Sequence, residues 1–111
     1  MAASPKYGPR FVCKQHLKFV ASQPCCVYGC ENQNVQAHHP LSTKARQKLG
    51  KSHDWETIPL CQHHHAILHD RIGGELLFMI KYNVTFEKVW TRLCKISPNK
   101  KVREINEATF S

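Results

Sequence analysis

The chain contains no apolar run approaching the roughly 18 residues that a membrane span requires. Its N-terminus, Met-Ala-Ala-Ser-Pro-Lys-Tyr, lacks the apolar stretch of a signal peptide, so the expected setting is cytoplasmic and without a membrane partner. Acidic residues are scarce: 8 Asp and Glu stand against 16 Lys and Arg, leaving a formal charge of +8. From Leu41 to His53 there is no acid at all, while Lys44, Arg46, Lys48 and Lys51 all fall there. That balance favours a polyanionic partner such as nucleic acid, although an ordinary solvated basic loop would look the same by charge alone. There is no internal repeat, low-complexity tract or clear linker, so a single small domain with a thin core is expected. The 6 cysteines include no Cys-x2-Cys pair, which counts against a redox or metal-storage protein.

What is present is a surplus of metal-binding side chains in two short segments. One is Cys25-Cys26-Val27-Tyr28-Gly29-Cys30, leading to His38-His39, and the other runs from Cys61 through His64 and His65 to His69. Cysteines in a reducing compartment more often bind metal than form disulfides. Four-coordinate zinc takes Cys and His from two spaced pairs, and Cys25, Cys30, Cys61 and His64 would close such a shell. Cys26 stands next to Cys25 and competes for that place. His38, His39, His65 and His69 are left over, more than a purely structural zinc needs, which points to a second, open metal site.

The coarse reading is α+β. Phe11 to Ala21 has helical spacing, with Cys13, Leu17 and Val20 as an apolar stripe that ends before Gln23-Pro24. Val35 to His39 and Thr57 to Leu60 read as two strands bridged by the basic loop. Gln62 to about Asp70 reads as a helix with His65 and His69 one turn apart on one face. Gly73-Gly74 then breaks the chain, and an apolar helix runs from Glu75 to Tyr82. Thr85 is placed to cap a last helix whose buried face is Phe86, Val89, Trp90 and Leu93. Met79 and Trp90 are read as core residues, and His16, His53 and His63 as surface ones. Residues 1–10 are expected to be a flexible N-terminus, 11–96 the domain, and 97–111 a mobile tail.

Strand, loop, strand and helix, with histidines on the first strand and the helix, resembles the ββα-metal fold of HNH endonucleases. It is most similar to the small phage and prophage branch that includes the recombination-enhancement nucleases. That branch looks like Pro-Cys-x4-Cys, then Ala-His-His, then Pro-Leu-Cys-x2-His-His-x3-His. Here those elements stand as Pro24-Cys25 to Cys30, Ala37-His38-His39 and Pro59-Leu60-Cys61 to His69, within a resemblance covering about residues 11 to 93.

The resemblance implies a zinc-stabilised ββα-metal core with flanking helices, acting as a metal-dependent endonuclease on DNA in phage or prophage DNA processing or recombination. It implies structural Zn2+ on Cys25, Cys30, Cys61 and His64, and a catalytic Mg2+ or other divalent ion on His38, His65 and His69. His39 would be the general base, although the division of roles between His38 and His39 stays open. Lys51 and Asp54 resemble a Lys-x2-Asp element of the branch: Lys51 for a phosphate, Asp54 to orient a metal-ligating histidine, with a loop-capping pair as the plain alternative. The middle Asn that names the motif is missing, so Asp54 or Glu56 would brace the loop of the base. A recombinase is a possible partner, and no small-molecule cofactor is implied. The competing reading is a catalytically inactive, zinc-stabilised nucleic-acid-binding module.

Overall fold

The structure is a computed structural model that describes residues 9–70 and 74–110. At its centre are two short strands, β1 (Val35–His38) and β2 (Ile58–Cys61), paired antiparallel with Val35 opposite Cys61 and His38 opposite Ile58. All four residues of β2 are buried, so it is covered on both faces. Pro59 gives up a ladder donor, but its carbonyl accepts the Cys26 amide at 2.9 Å, which docks the 25–30 turn onto the strand. Gly29 adopts φ +79° in that turn, a conformation that costs glycine little.

Six helices surround this ribbon among the described residues: α1 (Lys14–Ala21), α2 (Lys44–Leu49), α3 (Gln62–Asp70), α4 (Gly74–Tyr82), α5 (Phe86–Lys95) and α6 (Lys100–Phe110). The chain is therefore α+β. The core gathers Ile58, Leu60, Leu68, Phe78 and Phe86 around β2, with Met79 and Trp90 packed at its edge as expected. Helix α3 follows β2 without a linker, so strand and helix hold their side chains in one rigid frame. No helix among the described residues is long and apolar enough to cross a membrane.

Several expectations need correction. In α1 the buried residues are His16 and Val20, one turn apart, while Cys13 and Leu17 are half-buried at the margin. The buried stripe is thus rotated from the apolar one, because the His16 imidazole finds the Ser97 hydroxyl at 2.8 Å. Burial lowers the His16 pKa to about 4, with Asp54 pulling the other way. His53 is not a free surface residue either: Nδ1 accepts the Phe11 amide at 2.9 Å and its ring stacks on Trp55.

The basic loop contains helix α2. The Thr43 hydroxyl accepts the Arg46 amide at 3.1 Å, and Gly50 closes the helix at φ +83°. Gly73 lies outside the described residues, whereas Gly74 opens α4 at φ +58°. Helix α4 buries Glu75 and Phe78 and leaves Leu76, Leu77 and Ile80 exposed, since nine residues can turn only one stripe inward. It ends at Asn83, φ +53°, with the Val84 amide returning to the Met79 carbonyl, a Schellman stop. Thr85 sits at the cap position of α5, but its hydroxyl makes no capping bond.

The expected mobile tail is instead α6, packed on α5 with Val102 fully buried. The Asn99 side chain accepts the Val102 amide at 3.1 Å and so caps it, a start signal hidden behind Ser97-Pro98. Most of the expected flexible N-terminus lies outside the described residues, but Arg10 within it is tied to Asp54.

Candidate metal centres and their histidines

The turn 25–30, the end of β2 and the start of α3 bring Cys25, Cys30, Cys61 and His64 together, with all four ligand atoms within 4.8 Å of one another. Cys30 and Cys61 Sγ are 3.7 Å apart, Cys25 Sγ lies 3.7 Å from His64 Nδ1, and Cys61 Sγ lies 3.2 Å from the same nitrogen. A tetrahedron built from Zn–S and Zn–N bond lengths has S···S and S···N edges of roughly 3.8 and 3.6 Å. The four donors therefore fit a closed site for a metal ion such as zinc. Amides of Cys61 and His64 point at Cys25 and Cys61 sulfur, each at 3.4 Å, which favours thiolates. Burial first, with the neighbouring Cys61 adding to it and two backbone amides opposing, pushes the Cys25 thiol up to about 11, and a bound cation would reverse that tendency.

Cys26 is outside this set, its thiol raised to about 12 by burial and the neighbouring Cys25. Cys13 and Cys94 also stand apart. His64 packs edge-on against Phe78 and Tyr82, so α4 covers one side of the cluster. His63 is exposed beside it.

A second cluster joins His38 at the end of β1 to His65 and His69 on α3, again within 4.8 Å. The Nε2 atoms of His65 and His69 are 3.1 Å apart, the separation of two donors that share an ion. Burial, followed by the charges of His38 and His69, lowers the His65 pKa, a shift toward the neutral ring that a metal ion needs. His38 is buried and His69 exposed, so this cluster has an open side where the first is closed. A groove of about 350 Å³ runs past His69 and Glu75 between Leu41, Leu68 and Leu76 and makes it reachable from solvent.

Glu75 was not singled out from the sequence as a site residue, yet it organises this cluster. Its Oε2 accepts His38 Nε2–H at 3.1 Å and the Leu41 amide at 2.8 Å, and Oε1 accepts the Ser42 amide at 2.9 Å. Burial pushes its pKa up, but these three donors outweigh burial and hold it below the usual carboxylate value. With Nε2 of His38 engaged, Nδ1 is the nitrogen left for an ion, the arrangement of a metal histidine oriented by a carboxylate. The sequence signal for Glu75 is faint: it is the single acid on a helix whose other charged residue is Lys81 in the last turn.

His39, one residue beyond β1, is held separately. Its Nε2 donates to Asp54 Oδ1 at 2.8 Å, and Asp54 is 1% exposed. Asp54 therefore holds His39, in line with one of its two expected roles; the carboxylate on His38 is Glu75, which replaces Asp54 in the other. Glu56 accepts the His53 amide at 3.0 Å and bonds neither histidine. Burial lowers the His39 pKa; the Asp54 hydrogen bond opposes this, and the Lys51 and Arg10 charges reinforce it. Lys51 is exposed and near enough for its charge to act on His39. Asp54 is itself held below its usual value, because donors from His39, Cys13 and Arg10 outweigh burial.

Against known families, residues 2–75 match the family described as protein of unknown function (DUF968). The chain belongs to the DUF968 family. The matched stretch holds both clusters, His39 and Asp54, and reaches Glu75, so the DUF968 region contains the whole candidate site. No curated protein and no solved structure matches the chain.

Proposed function

We propose that this chain is a metal-dependent endonuclease of the HNH type that hydrolyses DNA phosphodiester bonds. The observation that carries the reading is the pairing of an open three-histidine cluster with a fourth histidine, His39, braced by its own buried carboxylate. A nucleic-acid-binding module without chemistry needs the closed Cys/His centre but none of these four side chains. That closed centre is read as structural Zn2+.

Imidazole donors suit the later first-row transition ions, whereas Mg2+ demands oxygen ligands, so the open site fits Zn2+, Ni2+ or a similar ion better than Mg2+. Held by His38, His65 and His69, such an ion would supply Lewis-acid polarisation of a phosphate oxygen and stabilisation of the leaving 3′ oxygen. His39 takes the proton from the attacking water. Asp54, as an acceptor, holds the hydrogen of neutral His39 on Nε2 and leaves Nδ1 with the free lone pair. Glu75 keeps His38 turned toward the cluster. Helix α2 begins two residues after the Leu41-Ser42 amides held by Glu75, and its exposed Lys44 and Lys48 are the cations offered for the phosphodiester backbone. A place in phage or prophage DNA processing or recombination, a recombinase partner and a cytoplasmic setting rest on the sequence reading alone.

The test is cleavage of supercoiled plasmid and single-stranded DNA by the full-length protein with Mn2+, Zn2+, Mg2+ or EDTA. Metal-dependent nicking is expected, with His39→Ala slower by roughly 100-fold or more. Binding without cleavage under every ion, or a His39→Ala protein as fast as wild type, would overturn the reading.

A further inference from the structure

We propose that the segment leading into α1 belongs to the catalytic apparatus, with Arg10 as a positioning residue that fixes Asp54 and, through it, the tautomer and direction of His39. The proposal rests on the reading of His39 as the base and adds a part that lies 29 residues before it in the chain.

The geometry converges on one carboxylate. Asp54 Oδ1 accepts both Arg10 Nη1 and His39 Nε2, each at 2.8 Å, and Oδ2 accepts the Cys13 amide at 2.8 Å. Both oxygens are thus committed, by donors from two different stretches of chain. A carboxylate held in this way cannot rotate, and the imidazole that donates to it is held as well. Arg10 Nη1 also reaches the Ser52 carbonyl at 3.2 Å, so one guanidinium bridges the backbone just before Asp54 and the carboxylate itself. The backbone repeats the link: the Asp54 amide donates to the Phe11 carbonyl at 3.0 Å, and the Phe11 amide to His53 Nδ1 at 2.9 Å.

A strap that merely closed the core would present apolar side chains to it. Here Val12 is exposed, Phe11 is only half-buried, and the contacts made by residues 10–13 on the 52–54 turn are polar. What they hold is the group that orients His39. Among the described residues no protein group bonds His39 Nδ1, so the brace leaves that nitrogen as the acceptor. Without Arg10, Asp54 keeps the Cys13 amide but loses the guanidinium that pins its Oδ1 and ties it to the Ser52 carbonyl. The carboxylate can then swing Oδ1 off the ring, and a neutral ring without that acceptor populates both tautomers, of which the Nδ1–H form has no lone pair where the base needs it.

The experiment uses the full-length wild type, Arg10→Ala and Arg10→Lys. Long-range ¹H–¹⁵N NMR of the imidazoles reads the His39 tautomer without reference to any activity, and plasmid nicking reads kcat and KM separately. Wild type is expected to show a single Nε2–H tautomer. Arg10→Ala should show a mixture, with kcat lower by roughly 10- to 100-fold and KM changed by less than about twofold. Arg10→Lys should recover most of the Nε2–H form, since an ammonium can still reach Asp54. If Arg10→Ala does not fold, Arg10→Met keeps much of the aliphatic stem, removes every donor and carries the same comparison. An unchanged tautomer in Arg10→Ala would overturn the proposal. So would a rise in KM with kcat intact, which would place Arg10 on the substrate instead. If wild type cleaves nothing, the nuclease reading fails by itself, and the tautomer comparison still decides what Arg10 does.

Discussion

His38 and His39 are consecutive in the chain, yet each ring answers to a different buried carboxylate. Glu75 on α4 takes His38, and Asp54 in the turn before β2 takes His39. Neighbours at the end of a strand point to opposite faces, so a histidine pair delivers two rings into two environments. Glu75→Gln keeps the shape of the first brace, but its amide nitrogen cannot accept a backbone N–H as the carboxylate does. Calorimetric titration with Ni2+ of protein carrying a single zinc per chain should show affinity at the open site lower by roughly 10- to 100-fold.

His16 makes a different prediction. Its folded pKa of about 4 lies below the ordinary histidine value, because the ring is fully buried and stays neutral. The unfolded chain therefore binds a proton that the native state refuses, and stability falls as pH drops from about 6.5 toward 4. The difference integrates to something on the order of 3 kcal/mol. Urea unfolding of His16→Gln should show a shallower pH dependence than wild type across that window. Equal slopes would mean that another group carries the acid sensitivity. None of this was visible from spacing, since a histidine on a short helix reads as a surface residue until Ser97, 81 positions away, is placed beside it.

At the level of elements, α4 joins the two centres. Glu75 near its start braces His38, while Phe78 and Tyr82 cover His64. The closed Cys/His centre in turn ties the 25–30 turn to β2 and α3, three pieces that otherwise share a thin core. If the centre holds zinc as proposed, removing the ion should loosen all of them, because zinc binding at such a site is folding free energy. Chelation, or Cys61→Ser, is expected to abolish the cooperative thermal transition and collapse amide dispersion in the NMR spectrum. A Cys26→Ser protein should keep both, since that thiol stands outside the donor set.

The strands, α3 and the boundaries of α4 were legible in the sequence because period and punctuation coincide there. Helix α2 was not, since a run of lysines hides the Thr43 cap and the Gly50 stop. Helix α6 was hidden by Pro98, which ends one helix while Asn99 starts the next.

Across the whole molecule, an excess of eight positive charges over 111 residues sets the terms for any partner. A radius of gyration of 13.9 Å confines that charge to a compact body, so its field acts well beyond single contacts. If the partner is DNA, binding should weaken steeply with salt through counterion release. Lys44→Ala and Lys48→Ala, both exposed on α2, should each lower the slope of log K against log salt by about 1. Fluorescence anisotropy on a labelled duplex measures this directly. A slope that neither substitution moves would place the nucleic-acid path elsewhere on the surface.

The sequence by itself determined which side chains exist to bind metal and roughly where they lie on strand, turn and helix. Ligand types and their spacing along an element are local properties, carried by residues three to five apart. Which histidine pairs with which carboxylate was decided only in three dimensions. Glu75, Asp54 and Arg10 reach their partners across 37, 15 and 44 residues, and a contact of that range leaves no periodicity for a reader to find. It exists because β2 is buried along its whole length and α3 continues it without a linker, and the loops around them close onto whatever polar groups that packing leaves without a partner.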